Sequence, residues 1–481
     1  MSIKRQILED TFTQPFNIER FVKFTTEFFN GPQILSPYKR NEKVWKEYRY
    51  YIDSYRHVAK YIDGKDKNIL ILAVQLRKGR SVERARSMQR NFISRLISDS
   101  KYDAAIVAFY CEDEPTWRLS FVRLDYEFTA KGVKLDLTPA KRYSYLVGEG
   151  EPSHTAQEQL LPIFERESYN PTLDEIEHAF SVETVTKDFF EKYREKYYDL
   201  KEYLDNNEAF KEEAQRHNFT SEQFAKKLMG QLVFLYFLQK KGWLGVKVLP
   251  ENRQLTEEEF KKIFYRQNKA GKDVLLKIFP VCESGIRKVN TYNLSRLNDE
   301  EGEILAGCFK GTEHEKPWGS GTRTFIRDLF TYCVENTNKN FFDHFLEPLF
   351  YEALNKKRGE NHYYPKFNCK IPFLNGGLFE PLDNYDWQHN DFNIPNEIFS
   401  NSKTKGREAD GILDIFDRYN FTINEDEPLE REVAVDPEML GKIFENLLDA
   451  KDRKSKGAFY TPREIVHYMC QESLINYLVN E

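Results

Sequence analysis

Seven cations fall within nineteen positions from Arg77 to Arg95: Arg77, Lys78, Arg80, Arg84, Arg86, Arg90 and Arg95, against the single acid Glu83. Basic groups at this density can hold several phosphates of a nucleic-acid backbone, and binding of that kind weakens steeply with salt. A solvated helix face carrying long basic side chains is the competing reading. Far along the chain, Thr461, Pro462 and Glu464 spell a helix start. Thr461 can cap the free amides of the first turn, Pro462 suits the first helical position, and Glu464 completes a Thr-x-x-Glu box. Ile465, Val466, Met469 and Leu474 follow as an apolar stripe. Six cysteines include no close pair with metal-ligand spacing, and the nine histidines are scattered. No phosphate-binding glycine loop and no serine-nucleophile elbow occurs.

The elements that must carry these groups begin with an α/β unit over residues 1–170. Phe16, Ile18, Phe21, Phe24 and Phe28 predict a helix within 13–30. Two strands, Ser54–Tyr61 and Asn68–Leu76, join across the turn dipeptide Asp63-Gly64. A helix over Val82–Ile97, capped by Ser81, precedes strands at Ala104–Tyr110 and Trp117–Tyr126. From Pro171 the pattern turns helical, with a charged stretch or hairpin over 183–216 and a core helix over Phe224–Gly242, apolar nearly all round. Gly319-Ser320-Gly321 and Gly376-Gly377 open no strand-to-helix unit, so they read as turns or close backbone approaches. Asp436 and Pro437 start a further helix whose Met439, Ile443 and Leu447 run beside Leu440, Phe444 and Leu448.

A chain of 481 residues, 40% apolar and 15% aromatic, suggests two to four globular domains with ample cores. No signal peptide and no apolar run near 18 residues occurs, which predicts a cytoplasmic protein with reduced, buried thiols and no membrane partner. The net charge of −6 excludes a uniformly basic nucleic-acid coat but not a local basic groove.

The order strand-strand-helix-strand resembles the core of PD-(D/E)xK nucleases. The resemblance implies an acid on one strand and an acid-x-lysine on the next, with carboxylates holding Mg²⁺ while the lysine helps to activate water. Here the second strand ends Ala73-Val-Gln-Leu-Arg-Lys78, so Gln75 stands where the acid is required and Arg77 where the lysine is. Asp63 and Asp66 are the candidate first acids, and Lys78 is the nearest lysine. Glutamine brings no negative charge to a metal, so the domain is expected to be a degenerate nuclease, with Mg²⁺ implied only for an active one.

Gly457-Ala-Phe-Tyr-Thr-Pro462 resembles the element that precedes the catalytic fold of adenine-N6 DNA methyltransferases, especially those fused to restriction endonucleases (type IIG). Similar stretches are Ser81–Phe92, Leu232–Leu244, Pro372–Pro381 and Ala434–Leu448. The resemblance implies that Phe459, Tyr460, Thr461 and Pro462 form one wall of an S-adenosylmethionine pocket, and that Arg77, Lys78, Arg80, Arg84, Arg86 and Arg90 face double-stranded DNA. It implies a nuclease-like domain over 1–170, a helical connector over 171–450, and the first element of a Rossmann-like methyltransferase domain over 451–481. Such enzymes use an Asn/Asp-Pro-Pro-aromatic loop on the flipped-out adenine. No two of the 19 prolines here are adjacent, so the chain is expected to be catalytically incomplete. The alternative is a non-catalytic DNA-binding or scaffold subunit that supports a separately encoded methyltransferase and target-recognition half.

Overall fold

In the computed structural model the described residues are 2–124, 128–129, 132–133, 140–166, 170–249, 253–280, 282–283, 285–374, 376–423, 429–437, 441 and 463–480. The architecture is α/β, built on a mixed seven-stranded sheet. Two helices precede it, α1 (Ile3–Phe12) and α2 (Ile18–Phe28). Helix α2 is the helix expected within 13–30, started by Asn17, which accepts from the Glu19 and Arg20 amides, while α1 lies ahead of that range and Pro15 stands between the two.

The sheet runs β1 (Gln33–Ile34), β2 (Ile52–Ile62), β3 (Asn68–Leu76), β4 (Ala104–Tyr110), β5 (Thr116–Arg123), β6 (Lys141–Gly148) and β7 (Glu430–Glu432), in that spatial order. Helix α3 (Arg86–Asp99) links β3 to β4, which pair in parallel. The near-continuous apolar run of β3 and the wholly buried β4 are what central strands covered on both faces require. On one face Leu70, Leu72 and Val74 pack with Phe92, Ile93, Leu96 and Ile97 of α3. On the other, an aromatic cluster of Phe12, Phe21, Phe24 and Phe28 gathers Trp117 and, from α4 (His154–Phe164), Phe164. Strand β7 adds in parallel to β6 from nearly 300 residues later in the chain.

The chain divides into two units, Met1–Lys192 with Ile415–Met439, and Tyr193–Asp414 with Leu440–Glu481; the sequence reading set its divisions at 170 and 450. The second unit is mainly helical. Its central helix, Ser221–Lys240, starts on a Thr220/Gln223 capping box and is buried almost all round. Among the described residues no helix is long and apolar enough to cross a membrane. Cys111, Cys308, Cys333 and Cys369 are buried free thiols, whereas Cys470 is exposed.

Two π-helical segments, Phe342–Leu346 and Pro348–Leu354, flank Glu347 in this unit. Glu347 is fully buried; Oε1 accepts from the Tyr385 hydroxyl at 2.6 Å, and Oε2 has no partner among the described residues. Burial lifts its carboxyl well above the ordinary value of 4.5, the Tyr385 hydrogen bond opposing only in part. An acid whose folded pKa is raised costs stability as pH climbs above its unfolded value, and the cost is complete above the folded one. Glu347→Gln should therefore gain on the parent with rising pH, in urea titrations from pH 4.5 upward; a pH-independent difference would contradict this.

Candidate functional site

The β2–β3 hairpin turns at Asp63, whose Oδ1 accepts from the Lys65 and Lys67 amides at 2.7 and 2.8 Å. Its Oδ2 takes the Leu173 amide at 2.8 Å, so Asp63 is a buried turn residue with both oxygens engaged. The strand register sets it far from Gln75: Ile62 pairs with Asn68 at the turn end, Ser54 with Gln75 at the opposite end. Asp63 thus joins no site with Gln75, Arg77 or Lys78.

At the Gln75 end, pairing places Ser54, Gln75 and Tyr110 side by side across three adjacent strands. Gln75 Oε1 accepts from the Arg40 guanidinium, from Ser54 Oγ at 3.4 Å and from Tyr110 Oη at 3.3 Å. Its amide donates to Glu112 Oε1 at 2.9 Å. Glu112 also lies 3.3 Å from Arg40 and 3.5 Å from Lys78. Partial desolvation acts to raise the Glu112 pKa, but the Gln75 hydrogen bond and the Lys78 and Arg40 cations outweigh it and hold it below the ordinary range. The neighbouring acids serve backbone: Asp113 accepts from the Gly79 amide at 2.8 Å, and Glu114 from the Val82 amide at 3.2 Å. Phe16 stacks on Tyr110 with centroids 4.1 Å apart.

This edge does not fit Mg²⁺. A divalent ion wants several oxygen ligands with carboxylates among them, and here one carboxylate is shared by two cations while the glutamine oxygen faces a guanidinium. Among the described residues the one group with metal-ligand proximity is Glu259, Glu313 and His314 in the second unit. Glu259 is spent there on the Thr256 capping box, and His314 Nδ1 faces the Arg253 guanidinium.

The Arg77–Arg95 run divides between surface and interior. Arg77, Lys78 and Arg84 are exposed, with Arg77 Nε donating to the Arg49 carbonyl at 2.5 Å. Arg80 lies over the Tyr50 ring at 3.9 Å, and Arg95 over Trp45 at 4.5 Å. Arg86 and Arg90 turn inward, each 3.8 Å from Glu430 of β7, so the helix does not offer all its arginines on one solvated face. They border a buried network in which Arg118 donates to Ser144 Oγ at 2.9 Å and to Glu432 Oε2 at 3.3 Å. Arg142 there donates to Ser120 Oγ, the Arg86 carbonyl and Gln89 Oε1. Burial, with Arg118 nearby, pushes Arg142 down to about 9. Helix α3 also begins later than expected. Ala85 adopts a left-handed φ of 54°, Ser81 Oγ caps only a local turn to Glu83, and the Gln89 amide donates to the Val82 and Arg84 carbonyls.

The residues Phe459, Tyr460, Thr461 and Pro462, with most of the helix expected after Pro437, lie outside the described residues. The helix after them spans Arg463–Asn480, and its Ile465, Val466, Met469 and Leu474 are exposed. Sequence reasoning did not single out Arg40, Arg56, Tyr110 or Glu112. Lone residues spread over more than 70 positions carry no local pattern.

No family profile matches the chain, and no solved structure matches it. A protein of Methanocaldococcus jannaschii, named "Putative type II restriction enzyme and methyltransferase RM.MjaORFECS2P", is 36% identical over 160 residues. The match covers 12% of that protein's length, which marks it as much the larger chain. Over 31% of its length, this chain is therefore similar to a restriction-modification protein.

Proposed function

We propose that this chain is the DNA-facing N-terminal part of a cytoplasmic restriction-modification protein, a site-specific adenine-N6 DNA methyltransferase dependent on S-adenosylmethionine. The observation that carries the reading is the 36% identity to a chain named for both restriction and methylation. The Gly457–Pro462 element supports the methyltransferase half, with Phe459, Tyr460, Thr461 and Pro462 as the cofactor wall. The β2–β3–α3–β4 order supports a nuclease-like ancestry for the first unit, and the misfit of Mg²⁺ at Gln75 supports loss of cleavage there. The alternative of a scaffold for a separately encoded catalytic half shares the DNA-binding step. An Asn-Pro-Pro-Tyr loop encoded in the same reading frame favours the enzyme over the scaffold.

Duplex DNA should shift with the purified chain at low salt, the shift weakening as salt rises. No labelled methyl group should reach DNA from S-adenosylmethionine with this chain alone, because its 481 residues hold no Pro-Pro pair. Absence of any shift at low salt would sink the DNA reading, and methyl transfer by the chain alone would sink the incompleteness.

A further inference from the structure

We propose that the edge formed by Arg40, Arg56, Gln75, Lys78 and Tyr110 is a metal-independent site for a DNA phosphodiester, occupying the position where a nuclease would hold its catalytic ion. The proposal rests on the DNA-binding reading above and adds where one backbone phosphate sits and what holds it.

Charge decides what this edge takes. Three cations, Arg40, Arg56 and Lys78, outnumber the two carboxylates that act on them, Glu112 and, through Lys78, Asp113, which is held by the Gly79 amide, so the edge favours an anion over a divalent cation. Arg56 follows Ser54 by two residues on β2, which puts both on the same face of the strand, and it acts electrostatically on the Tyr110 hydroxyl. It makes no ion pair among the described residues, and its Nε is buried without a hydrogen-bond partner. A buried guanidinium nitrogen left without an acceptor is costly, and a phosphate oxygen would satisfy it. Neutral donors complete the set: Tyr110 Oη and Ser54 Oγ both point to Gln75 Oε1, and each hydroxyl can rotate to a ligand. Gln75 fits this task as it does not fit a metal. Its amide fixes Glu112 at 2.9 Å, leaving that carboxylate to orient Arg40 and Lys78 without binding an ion. The chemistry is that of a phosphate diester, which free inorganic phosphate shares in part.

The test is fluorescence anisotropy of a labelled duplex with the full chain in EDTA, across a salt series. Wild type should bind without Mg²⁺. Arg40→Ala with Arg56→Ala should lower affinity and reduce the salt slope by about one, the contribution of a single phosphate, and Lys78→Ala should lower affinity with a smaller part of that change. Lys78 is three-quarters exposed, so its variant tests the site without risk to folding. Arg40→Lys with Arg56→Lys should recover most of the slope, which a merely structural role would not predict. Inorganic phosphate at millimolar levels should compete only weakly, whereas competition equal to that of duplex would assign the site to free phosphate instead. Wild-type slopes in both the double variant and Lys78→Ala would overturn the site while leaving the DNA reading intact. A requirement for Mg²⁺ in binding, or Mg²⁺-dependent cutting lost in Glu112→Ala, would also overturn it. No duplex binding by wild type would remove both.

Discussion

Glu432→Ala is expected to destabilise the protein by about 3–5 kcal/mol, measured by urea denaturation with far-ultraviolet circular dichroism. Arg118 has no exposed surface, and both terminal nitrogens of its guanidinium reach Glu432 Oε2 at 3.3 Å. Removing the carboxylate leaves a buried cation with one remaining acceptor among the described residues, Ser144 Oγ. The attraction of the pair matters less here than the desolvation cost of the orphan. Arg118→Met combined with Glu432→Leu should recover part of the loss, since the cation leaves with its carboxylate while Arg142, which Glu432 also helps to hold charged, keeps Glu430 at 3.9 Å. A loss below about 1 kcal/mol for Glu432→Ala, within the range of an exposed pair, would show the network to be solvated.

What the sequence revealed follows from the range of the interactions involved. The β2–β3 hairpin and β4 were legible because an apolar run bounded by Asp63-Gly64 is a local signal, and Ala104–Tyr110 was placed to the residue. The start of α3 was misplaced because Ser81 looks like a cap, whereas a long-reach amide from Gln89 and the left-handed Ala85 set the boundary. Strand β7 was invisible: Glu-Arg-Glu has no strand-like composition, and its partners Arg118 and Arg142 stand about 300 residues earlier. That hidden strand is also why Arg86 and Arg90 read as surface cations, since only a distant carboxylate makes an inward-facing arginine sensible. The Gln75 edge was half legible. The strand position was right, but the companions Arg40, Arg56 and Glu112 come from separate segments that only the pairing register brings together.

Gly321→Ala is expected to cost roughly 1–3 kcal/mol through overpacking, with about 1 kcal/mol more if the hydrogen bond from the Gly321 amide to the Gly242 carbonyl, 2.9 Å long, is lost. A methyl group at Gly321 would stand 2.0 Å from the Leu244 carbonyl oxygen and 2.7 Å from that of Gly242. Both obstacles are backbone, so no side chain can swing away. The approach is mutual, because Gly242, at φ +68°, would bring its own methyl to 2.3 Å from the Gly319 carbonyl. Gly242 ends the central helix Ser221–Lys240, donating to the Gln239 carbonyl at 2.8 Å, and its left-handed backbone is the reason that helix stops there. The 319–321 segment is thus pinned to the end of this long buried helix, by contacts that only hydrogen in place of a side chain permits. Ser320→Ala is the matched control. Its hydroxyl makes one exposed bond to the Pro317 carbonyl, so its melting temperature should stay near the parent's while that of Gly321→Ala falls by several degrees. Equal melting temperatures for the two variants would mean that the segment yields freely and that the close approach contributes nothing to stability.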